Sequence, residues 1–367
     1  MNASGVHHPI ERRHGIVADA NRAMKRWAKR TLTSRWVSAA WAPLIRDCAT
    51  FLILHRFAEP DYALLGHDPE ALRQGLEELR RQRYAMLSVE EAVERLLGGM
   101  GFPRRSVVFT MDDGYRGALE QCVDLFQAYD CPLTVFVATG FVDGSCWLWW
   151  DQIEYICLTT SRRILEQQWG SRTIRLDLTD RRNILLSVLS ASGWCKTLPD
   201  EERQRFIHSL AGTAEVDLPE RAPAQYAPIT WDELRSLETK GVSVGPHTVT
   251  HPILPNTTEV QAQWEISESW RRVQQEVKRP LPIFAYPNGS YGAREVEFAS
   301  ALGLRAALTT RGAYASPQLS SARFEIPRFG YPELPEMLLM ITSGLRRVGM
   351  SPWTSVAEMA SSATNSE

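Results

Sequence analysis

Basic residues bring no surplus to this chain: 41 lysines and arginines against 43 aspartates and glutamates leave a formal net charge of −2. A nucleic-acid partner is therefore not expected, because such binders carry a basic excess. No run of about 18 apolar residues is present, so no segment is expected to span a bilayer. The first twenty residues contain Glu11, Arg12, Arg13 and Asp19 and no apolar stretch. A secretory leader is not expected there, and a cytoplasmic protein is. The six cysteines, Cys48, Cys122, Cys131, Cys146, Cys157 and Cys195, include no CxxC pair and read as reduced, mostly buried thiols. Internal repeats are lacking too, and histidines number only eight, none of them after His251.

What is present is globular composition, 44% hydrophobic and 23% charged in 367 residues. That length suits one large domain with an insertion, or two domains. Residues 1–48 read as a basic helical segment, with Arg22, Lys25, Arg26, Lys29, Arg30 and Arg35 interleaved among Trp27, Trp36 and Trp41. Such a helix could lie on an anionic membrane through residues 22–41. Its ragged apolar stripe favours docking on the body of the protein instead. From residue 49 onward, apolar β-rich runs alternate with helical patterns. Strands are expected at residues 51–57, 84–88, 106–109 and 133–139. A helix opened by Asp68-Pro69 and another over residues 89–97 separate them. This alternation predicts an α/β fold with a parallel sheet, and the number of units suggests a barrel. Residues 145–230 break the rhythm with helical patterns and read as an insertion or lid. The barrel would then run over residues 49–345, with a partly disordered tail at 346–367.

The chemistry gathers at two places. Ser106-Val107-Val108-Phe109 runs into Thr110-Met111-Asp112-Asp113-Gly114-Tyr115, which sets two adjacent carboxylates at the carboxyl end of a strand. Neighbouring carboxylates repel unless a cation or proton is shared between them. An Asp-Gly turn with a helix cap is the plainer reading of that motif alone. Further on, His247-Thr248-Val249-Thr250-His251 follows the strand-like Val242-Ser243-Val244-Gly245-Pro246. Two histidines after one strand and a carboxylate after another make a two-His-one-carboxylate metal site, with imidazole suiting zinc, cobalt, nickel or iron.

These two motifs resemble the first two motifs of the polysaccharide deacetylase (NodB-homology, carbohydrate esterase 4) family. Residues 133–141, Phe284-Ala285-Tyr286-Pro287-Asn288-Gly289 and residues 303–310 extend the likeness over roughly residues 50–335. The resemblance implies a distorted (β/α)7-type barrel that carries the helical insertion. It implies a divalent cation, Zn2+ first and Co2+, Ni2+ or Fe2+ as alternatives, held by Asp113, His247 and His251. Asp112 would be the general base, and the backbone N–H of Asn288 would receive the oxyanion. The expected substrate is an N-acetylated sugar in a glycan or lipid-linked glycan precursor, met on the cytoplasmic side, at the inner face of the membrane if residues 22–41 touch it. An inactive glycan-binding protein on the same fold, or an amidase for a small non-sugar amide, are the rival readings.

Two departures from the family pattern stand out. Ala285 occupies the position of the arginine that orients the base, and the C-terminal histidine that serves as general acid is missing. A branch of the family places its acid motif on the N-terminal strand, and His55 sits there. His7, His8, His14, His67 and His208 fall in tails, loops or helical surfaces, which leaves His55 as the candidate acid. Arg328, at the end of the last strand-like segment, could restrain Asp112 or form a structural ion pair. Arg56 is expected to point away from His55 by strand alternation.

Overall fold

The computed structural model describes residues 42–59 and 64–348. The basic segment at 22–41 and the tail beyond residue 348 lie outside the described residues.

Strands β1 (Ala49–Leu54), β3 (Ser106–Asp113) and β4 (Leu133–Val137) are buried along their whole length. Their near-continuous apolar runs follow from being covered on both faces, as parallel strands are. Strand β2 (Ala85–Leu87) pairs with the start of β3, and β7 (Ser243–Pro246) pairs with β4. The main sheet has the order β10-β1-β3-β4-β7, with β10 at Phe329–Gly330, and all its pairings are parallel. Strands β8 (Ile283–Ala285) and β9 (Ala306–Leu308) form a separate parallel pair. Single bridges at Val244–Pro280 and Leu308–Ile326 link that pair to the main sheet on either side. The ring is thus continued by bridges rather than closed by full ladders, which is the sense in which the barrel is distorted.

Period-two alternation decides what faces inward. Phe51, Val108, Phe136, Ile283, Ala285, Leu308 and Ile326 share one interior cluster, which also takes in Val89, Ala92, Val93 and Leu96 of helix Val89–Leu97. Val107, Phe109 and Met111 belong to the larger outer cluster, packed beneath the surrounding helices. Counting on from Val108, Thr110 and Asp112 fall on the interior side. Gly245 is required for a steric reason: a Cβ there would come within 2.7 Å of the Phe136 ring and 2.9 Å of the Ile283 carbonyl.

The insertion has its own apolar cluster, including Trp149, Ile153, Leu165, Leu176, Phe206 and Leu210. Three helices, Trp149–Thr159, Arg181–Cys195 and Asp200–Ala214, match the helical pattern of the sequence. Between the first two lies an antiparallel hairpin, β5 (Ile164–Trp169) with β6 (Arg172–Asp177), which that pattern did not announce. The buried positions of β5 are Leu165 and Gln167. A polar residue on the inner face hides the alternation. Gln167 is accommodated by hydrogen bonds with the Ser209 and Thr213 hydroxyls. All six cysteines are free thiols.

Candidate active site

Strand β3 delivers the two aspartates and then stops. Asp113 has φ +76° and Gly114 φ +95°, a left-handed turn that glycine adopts freely and aspartate tolerates. The turn sends the adjacent carboxylates in different directions. Asp112 stays inside the barrel, while Asp113 lines a cleft at the strand ends. Both are about 1% exposed.

Strand β7 hands on to His247, whose backbone N–H donates to the Val137 carbonyl at 3.0 Å. His247 Nδ1 lies 2.7 Å from the Ala285 carbonyl oxygen. Only an N–H satisfies a carbonyl, so Nδ1 carries the proton and Nε2 offers its lone pair. A tight loop follows, with Thr248 at φ +67° and His251 at φ +56°. Buried Glu265 holds that loop by accepting from the N–H groups of Val249 and Thr250, at 2.7 and 3.0 Å, and from the Thr250 hydroxyl at 2.5 Å. His251 is thereby turned back beside His247, ring centroids 4.8 Å apart.

Asp113, His247 and His251 bring one ligand atom each to within 4.8 Å of one another. The Nε2 atoms of His247 and His251 stand 3.6 and 3.4 Å from Asp113 Oδ1. Ligand atoms about 2.1 Å from a tetrahedral ion are themselves about 3.4 Å apart, so the spacing suits a shared cation. Asp113 Oδ1 is buried with no hydrogen-bond partner, an arrangement costly for a carboxylate without a cation. Protonation energetics agree. Burial first, then the charges of Asp112 and Asp151, push the Asp113 carboxyl well above its ordinary range. Burial likewise lowers both imidazoles, His251 strongly so, and keeps them in the neutral form that binds metals. The residues fit a divalent ion.

Asp112 is held differently. Arg328 Nη1 and Nη2 donate to its two oxygens, each at 2.7 Å, with Arg328 fully buried. Burial disfavours the Asp112 charge, but Arg328, with His247 and His55, outweighs it and leaves the carboxyl below its ordinary value. Ala285 supplies a carbonyl to His247, while the restraint on the aspartate comes from across the barrel.

The cleft is about 350 Å3 and is lined by His55, Asp113, His251 and Asn288, among others. His55 is exposed to it at the end of β1. The protein packed around its ring, rather than full enclosure, lowers its pKa to about 4; His67, Arg328 and His247 act in the same direction and Asp112 opposes them. Asn288 has φ +55°, its side-chain amide donates to Ser290, and its carbonyl accepts from the Thr310 hydroxyl. Arg56 also lines the cleft, beside His55, which corrects the expectation that it points away: β1 ends at Leu54, and alternation has no hold past that point.

Sequence reasoning missed a polar group on the insertion's first helix. Asp151, fully buried, accepts from Arg56 Nη1 at 3.1 Å and from the Tyr115 hydroxyl at 2.7 Å. Burial raises its pKa to about 7 against the pull of Arg56. Arg56 also reaches Glu154 at 2.6 Å. Trp150 donates its indole N–H to the Tyr115 oxygen and sets its ring edge-on to His251, centroids 4.5 Å apart. The signal available was Tyr115 itself, directly after the aspartate turn, and the run Trp149-Trp150-Asp151.

The family described as polysaccharide deacetylase matches residues 100–167 and 206–307. Among solved structures, the chain is similar to the deacetylase PplD of Streptococcus pyogenes in complex with acetate, at 18% identity and a TM-score of 0.53, covering 80% of this chain and 98% of that one. It is similar to IcaB of Ammonifex degensii at 15% identity and a TM-score of 0.52, covering 81% and 97%. A polysaccharide deacetylase of Bacillus cereus follows at 13% identity and a TM-score of 0.50, covering 81% and 69%. At such identities the likeness speaks for the fold. No curated protein matches the chain in sequence.

Proposed function

The chain belongs to the polysaccharide deacetylase family, hydrolases of amide bonds, and from that premise we propose that it removes N-acetyl groups from an amino sugar in a glycan or glycolipid precursor, with Asp113, His247 and His251 holding a divalent cation. Zinc suits two imidazoles and a carboxylate best, with cobalt, nickel or iron as alternatives. The observation that carries this reading is the trio of ligand atoms around Asp113 Oδ1, set beside a second carboxylate clamped by arginine.

A cation bound there would polarise the acyl carbonyl and acidify a water molecule. Asp112 takes the water's proton; the Arg328 fork keeps its carboxylate ionised and aimed. As water adds to the acyl carbon, the backbone N–H of Asn288 receives the oxyanion. Collapse breaks the C–N bond only if nitrogen leaves protonated. His55, with its pKa near 4, enters the reaction neutral. It therefore relays to the leaving amine the proton that Asp112 has captured. The products are acetate and a free amino sugar.

The setting we propose is cytoplasmic, at the inner face of the membrane if residues 22–41 bind it. Among the described residues no helix is long and apolar enough to cross a membrane. Acetate release from N-acetylated sugars, by protein stripped of metal and then reloaded with single metals, tests the assignment. Release restored by zinc and absent in Asp112→Asn supports it; a panel of acetylated sugars that yields no acetate with any metal overturns it. Vesicle co-sedimentation of the full chain and of a chain lacking residues 1–45 tests the membrane contact, and equal binding would remove it.

A further inference from the structure

The family match skips residues 168–205, and that stretch builds one wall of the catalytic cleft. Leu185, Val188 and Leu189, on the helix Arg181–Cys195, line it together with Leu65. Leu65 is 43% and Leu189 38% exposed, so these two side chains are not spent on the core, while Leu185 and Val188 are half-buried and Val188 also packs on the insertion's apolar cluster. The same cleft is lined by Ser192, whose buried hydroxyl has no partner, and by Lys196. Lys196 makes no ion pair among the described residues, and burial alone lowers its pKa, with no charged neighbour contributing.

Resting on the deacetylase reading, we propose that the substrate is an amphiphile: an N-acetylated amino sugar joined through a phosphodiester to a hydrocarbon chain. The chain lies along Leu65, Leu185, Val188 and Leu189, and the phosphate meets Ser192 and Lys196. A neutral polysaccharide would place hydroxyl-rich sugar units against those leucines and leave the cation without a counter-charge. Tyr115, Trp149 and Trp150, which also line the cleft, suit the sugar itself, whereas the aliphatic wall gains only from an aliphatic occupant. The cleft itself, about 350 Å3, is near the small end of ligand pockets. It seats one sugar unit and the first part of the chain, with the remainder running out over the rim.

Binding of the methyl and octyl phosphodiesters of N-acetylglucosamine 1-phosphate, below micellar concentration, tests the proposal by calorimetry on metal-free and zinc-loaded full-length protein. Each buried methylene is worth about fourfold in affinity, so the octyl diester should bind at least about tenfold more tightly. The double variant Leu185→Ser/Leu189→Ser, at partly exposed positions, should shrink that preference to within about threefold. Leu186→Ser on the same helix, outside the cleft lining, should leave it intact. Lys196→Ala should weaken both diesters by a similar factor and spare neutral octyl N-acetylglucosaminide. Equal binding of the two diesters, or a chain preference unchanged in the double variant, overturns the proposal. Acetate release measured in parallel separates it from its parent reading. Chain-dependent binding without acetate release overturns deacetylation and supports the groove, whereas acetate release without chain dependence does the reverse.

Discussion

Arg328 grips Asp112 with both prongs of its guanidinium, Nη1 to Oδ1 and Nη2 to Oδ2, each 2.7 Å. The same guanidinium donates to the Thr309 carbonyl and the Thr110 hydroxyl, each at 3.0 Å. It spans the barrel interior from the strand end beside β10 to the catalytic end of β3. Removing one member should strand the other charge in the interior, at a cost of about 3–5 kcal/mol. Arg328→Met is thus expected to destabilise strongly, and Asp112→Asn added to it should recover a large part of the loss. Arg328→Lys keeps the charge without the fork, and kcat should fall about 100-fold through misplacement of the base. Denaturant unfolding of the four corners of the cycle measures the coupling. Strictly additive single losses would mean the pair contributes no mutual stabilisation.

Metal binding should stabilise the fold and release a proton. In the metal-free protein Asp113 is pushed well above its ordinary range by burial and by its acidic neighbours, so a cation must displace a proton from it. Affinity is expected to rise with pH. Zinc at about 100 times its dissociation constant should add about 2.7 kcal/mol of stability. His247→Ala, His251→Ala and Asp113→Asn should each lose bound metal and the metal-dependent rise in melting temperature together. Elemental analysis beside thermal melts decides this. A variant that keeps one equivalent of metal would exclude its residue as a ligand.

The role of His55 is separable from that of Asp112 by changing the leaving group. An amine needs a proton to depart, while a phenolate from an activated acetate ester does not. His55→Ala should therefore lower amide hydrolysis by about 100-fold or more and leave an aryl acetate nearly untouched. Asp112→Asn should slow both, since both need an activated water. Equal losses on the two substrates in His55→Ala would assign the residue to substrate binding instead.

How far the sequence reached depended on how local each feature is. Asp112 and Asp113 occupy one strand end, and His247 and His251 one loop, so a few consecutive residues announced them. The parallel strands were legible because burial on both faces leaves uninterrupted apolar runs such as Ala49–Leu54. The group around Asp151 was not. Its partners Arg56 and Tyr115 lie 95 and 36 positions away, and no periodicity reports a contact of that kind. The hairpin at 164–177 hid behind Gln167, an inward polar residue. Arg328 could be nominated by its place at a strand end, but its choice of Asp112 depends on barrel geometry alone. His67 lies in a loop, as expected, joined to Phe57 by a single bridge, but no local pattern announced that its ring stands edge-on to both Phe57 and Tyr331, with centroids 5.8 and 5.6 Å away.

That placement of His67 gives the fold a pH dependence independent of catalysis. Burial lowers its pKa to about 4 from its ordinary value of 6.5. Well above pH 6.5 neither the folded nor the unfolded chain protonates it, and its full contribution to stability is present. As pH falls from 6.5 toward 4, the unfolded chain takes up a proton that the folded one refuses, so stability drains away across that window. By pH 5 the loss from this one ring should be about 1–2 kcal/mol. Asp151 and Asp113, whose raised pKa values act with the opposite sign, contribute to the total but not to a difference between variants. His67→Phe keeps an aromatic ring between Phe57 and Tyr331, and its backbone bonds to Arg56 and Ala58 are unaffected by the side chain. Urea unfolding at pH 7 and pH 5 should show the wild type losing more stability than His67→Phe by that amount. Identical losses in the two proteins would mean that His67 takes up its proton in the folded state as readily as in the unfolded chain, and that the aromatic contacts around it do not exclude the charge.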